Sequence, residues 1–300
     1  MPFQTTIRKA VETHGVGLHT AVKGHLRLLP APADTGIVFR RTDLSNFEIE
    51  AHVRNVARVS YATSLMRKGV LVSTTEHLLA ALYSCQVDNC YVDLDALEVP
   101  ILDGSAQSFI EMLTAAGIQT LRRQRRYLHV RKALEFSDGD RRISIYPARE
   151  FRVRCLIDFP HPAIGRQETE LVVNRETFRH LLAPARTFGF TADFDKLRAM
   201  GLIRGGSLEN AIVLDAKGVT NPPLRFPDEF ARHKTLDLIG DLALVGRPLK
   251  AEVVAHRAGH AMHTQLVTRL LADPQLWTEA TDDVMPENLP AERAGAAAAW

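Results

Sequence analysis

Short runs of β-forming residues bounded by glycine and proline open the chain, and residues 26–29 and 36–40 predict strands. Residues 74–84 then predict a helix and 91–94 a strand. A second helix is predicted over 105–116, opened by Asp103-Gly-Ser105 and closed at Gly117. Further on, 127–130, 143–146 and 151–157 read as strands, the last with period-two alternation. Helices are predicted at 174–183, 193–200, 229–245 and 260–272, with strands at 211–214 and 252–256. Both halves run strands, then helices, then strands, which predicts an α+β sandwich in each. The boundary is expected near residue 126, in the basic run Arg122-Arg-Gln-Arg-Arg126, read as a solvated linker. From about Asp282, two prolines and a terminal alanine run predict a frayed tail.

The helix predicted over 229–245 carries chemistry as well as apolar residues. His233 and Asp237 are four residues apart and therefore share a face. Asp241 extends the stripe by a turn, Lys234 borders it, and the four fall within an arc of about 100°. Such a strip is costly to bury unless something pairs with it. An imidazole nitrogen and a carboxylate oxygen on one face suit a borderline-soft dication such as zinc. A third ligand must come from elsewhere, and His77, at the start of an apolar helix, is the best donor. Its neighbour Glu76 also completes a capping box with Ser73, in which the carboxylate would only satisfy a backbone amide. His256, His260 and His263 form a rival metal set. The preferred alternative pairs a single histidine, His260, with Asp241 and holds it as imidazolium, ready to give up a proton. Taken alone, the segments around Thr187, Gly205-Gly206-Ser207 and Gly15–Thr20 read as turns, the last as a hairpin tip rather than a phosphate loop.

Composition narrows the classes. Three hundred residues with 46% apolar content can bury a large core, and a net charge of +2 gives no field for nucleic acid. Cys85, Cys90 and Cys155 make no CxxC pair and read as buried free thiols of a reducing compartment. The start lacks the apolar core of a signal peptide, and no run approaches the ~20 apolar residues of a spanning helix. A cytoplasmic protein without stable membrane insertion is expected.

Eight motifs then occur in order between about residues 5 and 278. They are Thr13-His-Gly-Val-Gly-Leu18-His19-Thr20, Ser73-Thr-Thr-Glu76-His77-Leu-Leu-Ala-Ala-Leu, Pro100-Ile-Leu-Asp103-Gly-Ser105-Ala and Asp158-Phe159-Pro-His161-Pro. Then come Ala185-Arg-Thr187-Phe188-Gly-Phe190, Gly205-Gly206-Ser207-Leu208-Glu-Asn-Ala-Ile-Val, Arg232-His233-Lys234-x-x-Asp237-x-x-Gly-Asp241 and Ala258-Gly-His260-Ala. In this order they resemble the zinc-dependent UDP-3-O-acyl-N-acetylglucosamine deacetylases (LpxC), which carry out the committed step of lipid A biosynthesis.

The resemblance implies two similar βααβ domains packed helix to helix as a sandwich, each with a small insert. They would cover 1–126 and 127–280, with 281–300 as tail. It implies one Zn2+ per chain, with Fe2+ admissible, held by His77, His233 and Asp237 with a position left open for water. Glu76 would be the general base, and Thr187 would stabilise the oxyanion. His260, oriented by Asp241, would be the general acid, and Lys234 would supply charge. Phe188, Phe190, Phe194, Leu202, Ile203 and Leu208 would line a tunnel for the acyl chain, and Phe159 would stack near the nucleotide. Leu18, His19, Gly206, Ser207 and Arg257 would also face the UDP-linked, acylated amino sugar, and the protein would be a monomer. A zinc amidase acting on another N-acetyl sugar is the alternative enzyme. A lipid or nucleotide binder with a fully ligated structural metal is the non-enzyme reading.

Overall fold

The strand Leu249–His256 buries every second residue, as a strand with one face on a core must. Arg141–Pro147 pairs with it antiparallel, and Phe151–Phe159 runs parallel along its other edge. With Gly165–Val172, Leu134–Asp138, Tyr127–Val130 and Trp277–Ala280 these strands make a seven-stranded sheet. A second sheet of five strands has the order Val11–Val16, Lys23–Pro30, Cys90–Leu94, Ile37–Arg41, Phe47–Glu50. The computed structural model giving this architecture describes residues 2–281, so the tail expected from Asp282 lies outside the described residues. Two smaller additions are a three-stranded meander (Val56–Arg58, Ser64–Arg67, Val70–Val72) and a parallel pair, Phe188–Phe190 with Ile212–Leu214. The fold class is α+β.

Five helices matter for the site: α1 (Glu76–Ser84), α2 (Gln107–Ala116), α3 (Phe194–Ala199), α4 (Glu229–Leu242) and α5 (His260–Ala272). α4 packs on α1 and α5 and on the strand Phe151–Phe159, while α5 lies against Arg141–Pro147. Leu236, Leu238 and Ile239 of α4 are fully buried, and so are Leu78 and Ala80 of α1. The two helices approach at Gly240, where a Cβ would come within 2.1 Å of the Glu76 carbonyl oxygen. No helix among the described residues is long and apolar enough to cross a membrane. The three cysteines are buried free thiols, pushed by burial up to about 11, 12 and 11 for Cys85, Cys90 and Cys155.

Most of the expected elements form, with their ends shifted by one to three residues. The arginine run is the main correction. Arg122 and Arg123 lie in a strand, Ile118–Gln124, that pairs antiparallel with Phe3–Ile7. Arg125 is no solvated linker residue but is 1% exposed. Its Nε and terminal nitrogen donate to Asp88 Oδ2 at 3.0 and 2.6 Å, and the Gln86 carbonyl accepts at 2.7 Å. A guanidinium tolerates burial when its fork is paired in this way, and sequence gives no sign of a partner 37 residues upstream. The helix expected over 174–183 is also different, a single turn capped by Asn174 that widens into a π-helix at Phe178–Leu182.

The helix crossing yields a prediction. Gly240→Ala should destabilise the protein by about 1–3 kcal/mol, although helix propensity alone favours alanine by about 1 kcal/mol. The obstructing atom is backbone rather than a mobile side-chain end. Urea unfolding of parent and variant checks this, and an equal or higher midpoint for the alanine variant would show that the helices separate without cost.

Candidate metal centre and active site

α4 carries His233 and Asp237 on one face, and the crossing with α1 brings His77 to the same spot. His77 Nε2 and His233 Nε2 are each 3.4 Å from Asp237 Oδ1. The two rings are nearly perpendicular, with centroids 4.9 Å apart. All three side chains are buried, and their ligating atoms lie within 4.8 Å of one another. Bonds of about 2.05 Å to a tetrahedral dication put ligand atoms about 3.3 Å apart, which matches the two 3.4 Å separations.

The surroundings prepare these groups for a cation. His233 Nδ1 donates to the Ala185 carbonyl at 3.1 Å, fixing the tautomer and leaving the Nε2 lone pair facing Asp237. Burial pushes the His233 imidazole down to about 4, so it is neutral at physiological pH. Lys234 Nζ donates to Asp237 Oδ2 at 2.7 Å. Burial works to raise Asp237, yet the Lys234 charge, seconded by His233, holds it well below the ordinary carboxylate range.

Glu76 sits beside this cluster at 3% exposure, where burial raises its pKa against the pull of His260 and His77. It is not a capping-box residue. The helix begins at Glu76 with Thr75 in the cap position, two residues too late for Ser73, whose hydroxyl lies 2.8 Å from that of Ser64. Glu76 Oε2 accepts instead from the Thr63 backbone N–H at 3.0 Å.

Asp241, fully buried, is the hub of a second cluster. His260 Nδ1 and His263 Nδ1 lie 2.7 and 2.8 Å from its Oδ2, and the Thr63 hydroxyl donates to Oδ1. A carboxylate only accepts, so both imidazoles donate from Nδ1. Burial works to lower His260, but Asp241 outweighs it and holds the imidazolium up to about 9. His263, dominated by burial, is shifted down. The rival set does not assemble on one helix, because His256 lies in the strand Leu249–His256 and α5 begins only at His260. The expected pair of one histidine with Asp241 is in fact a pair of histidines on one oxygen.

Thr187 and Phe188 follow the Ala185 carbonyl that fixes His233. The segment is held by Glu229, fully buried at the start of α4, which accepts from the Arg186 backbone and Nε at 3.0 and 2.9 Å. Thr187 N–H donates to Gly104 at 2.8 Å. The Phe188 ring lies 6.3 Å from His233 and 5.0 Å from Phe230, with Lys234 Nζ 5.9 Å from its centre. Phe159 joins Phe188 and Phe190 at 5.7 and 5.8 Å, so it is part of a phenylalanine cluster. Phe194, from α3, stands over Gly189.

The hairpin tip meets the glycine turn. Gly205 N–H donates to Leu18 O at 3.0 Å and Arg204 N–H to His19 O at 3.1 Å. Gly206 faces Leu18, and a buried carboxylate, Glu98, anchors the tip by accepting from the backbone of His19 and Thr20. Leu18, His19, Ile203 and Gly206 are thus brought together from opposite ends of the chain. The remaining candidates are not joined to this group: Ser207 Oγ accepts from Glu209 N–H, Leu208 is 58% exposed, and Arg257 pairs with Asp140 at 2.7 Å. Thr63, Glu98 and Glu229 were not singled out from sequence; His263 was named only in the rival metal set, and Arg186 stood only as part of the Ala185–Phe190 motif. The unmarked residues act through backbone groups or partners far along the chain.

Comparison with known proteins shows the family to which the chain belongs. The family model for LpxC, UDP-3-O-acyl N-acetylglycosamine deacetylase, matches residues 4–272. A UDP-3-O-acyl-N-acetylglucosamine deacetylase of Solibacter usitatus is 55% identical over 284 residues, covering 94% of this chain and 96% of that protein. The enzymes of that name from Myxococcus xanthus and Geotalea uraniireducens are 47% and 45% identical. They cover 91% and 93% of this chain, and 88% and 91% of their own lengths.

The Asp241–His260 pair sets a pH window. His260, raised from 6.5 to about 9, contributes stability that is complete below 6.5 and lost as pH rises through about 9. Asp241, lowered from 3.8 to about 2, contributes stability present above 3.8 and lost as pH falls through about 2. In Asp241→Asn the His260 imidazolium should lose its proton at distinctly lower pH, as read by an NMR titration of the ring protons. Titration still near 9 in that variant would show that another group raises it.

Proposed function

The chain belongs to the family of UDP-3-O-acyl-N-acetylglucosamine deacetylases, and on that premise we propose that its buried cluster hydrolyses the N-acetyl group of a UDP-linked, 3-O-acylated N-acetylglucosamine. Water is consumed, acetate leaves, and the free amine of the acylated sugar nucleotide remains. The observation that carries the reading is the meeting of His77, His233 and Asp237 between two titratable groups, Glu76 and His260, whose pKa values are both raised.

Two imidazoles and one carboxylate suit a divalent cation, zinc first and ferrous iron second. When bound, the cation would supply Lewis acidity, polarising the amide carbonyl and making water acidic enough to react at neutral pH. The rest is done by side chains. Glu76 takes the proton as water attacks the amide carbon, a role its burial suits because the carboxylate is then more basic than an exposed one. His260 is an imidazolium at neutral pH and gives its proton to the departing sugar nitrogen, with Asp241 orienting the ring. The Thr187 hydroxyl donates to the developing oxyanion. Lys234 neutralises the second oxygen of Asp237 and adds positive charge toward an anionic substrate.

Phe188, Phe190 and Phe194, with Leu202 and Ile203, offer apolar surface for the acyl chain. Phe159, packed on Phe188 and Phe190, would stack near the nucleotide. The hairpin tip with Leu18 and His19 and the turn at Gly206 form the opposite wall. In this reading the site lies in the seam between units 1–126 and 127–280 of a cytoplasmic monomer.

Metal analysis combined with a deacetylation assay tests the proposal. Glu76→Ala should keep its metal and lose about 10²- to 10⁴-fold in turnover, whereas His233→Ala should lose the metal. Parent-like turnover in Glu76→Ala would refute the assigned base. Acylated substrate should also be strongly preferred over UDP-N-acetylglucosamine lacking the acyl chain. Equal kcat/KM for the two would favour an amidase for other N-acetyl sugars.

A further inference from the structure

We propose that Thr63 is a positioning residue that locks the base and acid halves of the site into one geometry, an inference that rests on the deacetylase reading above. Thr63 directly precedes the meander's second strand, Ser64–Arg67, and is fully buried. Its backbone N–H donates to Glu76 Oε2 at 3.0 Å, and its hydroxyl donates to Asp241 Oδ1. The same hydroxyl lies 3.3 Å from His260 Nδ1. Its carbonyl accepts from both the backbone N–H and the hydroxyl of Thr75, at 3.2 and 3.1 Å, immediately before Glu76.

One residue therefore touches the proposed base and the carboxylate behind the proposed acid, and is itself tied to the first turn of α1. The division of labour on Asp241 makes the hydroxyl important. Oδ2 receives both imidazoles, and Oδ1 receives Thr63. A carboxylate held at one oxygen can turn about its Cβ–Cγ bond, whereas donors on both oxygens fix its plane. Fixing that plane fixes the direction in which His260 presents its other nitrogen to substrate. The backbone bond to Glu76 would survive any side-chain change at position 63, so the hydroxyl's effect can be isolated.

Thr63→Val removes the hydroxyl at nearly constant volume, and Thr63→Ser restores it. Thr63→Val should lower kcat about 10- to 100-fold with KM within about twofold of the parent, as loss of a bond to a charged group predicts. Thr63→Ser should stay within about threefold of the parent. In an Asp241→Asn background, Thr63→Val should cost less than about twofold more, because the hydroxyl acts through that carboxylate. Metal content and thermal melting of each variant are measured alongside, and if Thr63→Val loses its metal or fold, Thr63→Cys is judged on the same criteria. Parent-like kcat without the hydroxyl, losses that multiply with Asp241→Asn, or equal losses in the serine and valine variants each overturn the proposal. A parent chain that folds, binds metal and does not deacetylate the acylated substrate overturns the functional reading itself, and this inference with it.

Discussion

Everything chemical in this molecule depends on how closely α1 and α4 can approach. Glu76 and His77 belong to one helix, and His233, Asp237 and Asp241 to the other, separated by more than 150 positions in the chain. Gly240 allows backbone to meet backbone, since any Cβ there would stand 2.1 Å from the Glu76 oxygen. Interiors are as dense as organic crystals and transmit displacements of this kind rather than absorbing them. An extra methyl at the crossing would therefore be felt at His77 one residue away. The apolar faces of both helices hold the contact together, but the absent side chain sets its distance.

Bringing those residues together buries several ionisable groups, and the structure answers that cost by pairing. Desolvation alone would leave Asp237 and Asp241 protonated. For Asp237 the Lys234 charge wins, and for Asp241 the two imidazoles win, so both stay ionised. Glu76 has weaker help, one backbone N–H and distant imidazoles, and there burial wins. The three carboxylates thus divide into two that are held ionised and one whose pKa is raised. The histidines divide likewise: His233 is driven neutral by burial, while His260 is kept charged by Asp241. Pairs of groups whose surroundings push them apart in pKa are what acid–base hydrolysis needs.

The parts of this arrangement that live in local spacing were legible in the sequence. The stripe of His233, Asp237 and Asp241 follows from helical spacing, and α4 forms over those positions. The α+β character follows from the alternation of strand and helix patterns. Convergence of His77 on the stripe was legible only through resemblance to a family, because no local pattern records a contact across the fold. Arg125 and Glu229 show the limit. Each is a charged residue of a type usually found exposed, and each is buried against a partner that sequence does not mark. Thr63 is harder still, since half of its contribution is a main-chain N–H that every residue except proline carries.

The contact between the hairpin tip and the glycine turn repeats the logic of the helix crossing. At Gly205 a Cβ would lie 2.2 Å from the Gly17 carbonyl, so the hairpin tip and the glycine turn also meet through main chain. Glu98 anchors that tip through the N–H groups of His19 and Thr20, joined by the hydroxyls of Thr20 and Thr74. Ala185 fixes His233, and Gly104 fixes Thr187, through carbonyl oxygens. Main-chain groups have no rotamers to lose, so a contact between them orders a site at less entropic cost than one between long side chains. A pocket framed in this way leaves its side chains free to differ in size and polarity while the reacting groups keep their positions. Leu208 and Met200, on the segment between Phe188–Phe190 and Ile212–Leu214, are exposed and take no part in that frame. The positions of the buried ionisable groups are thereby tied to the main chain.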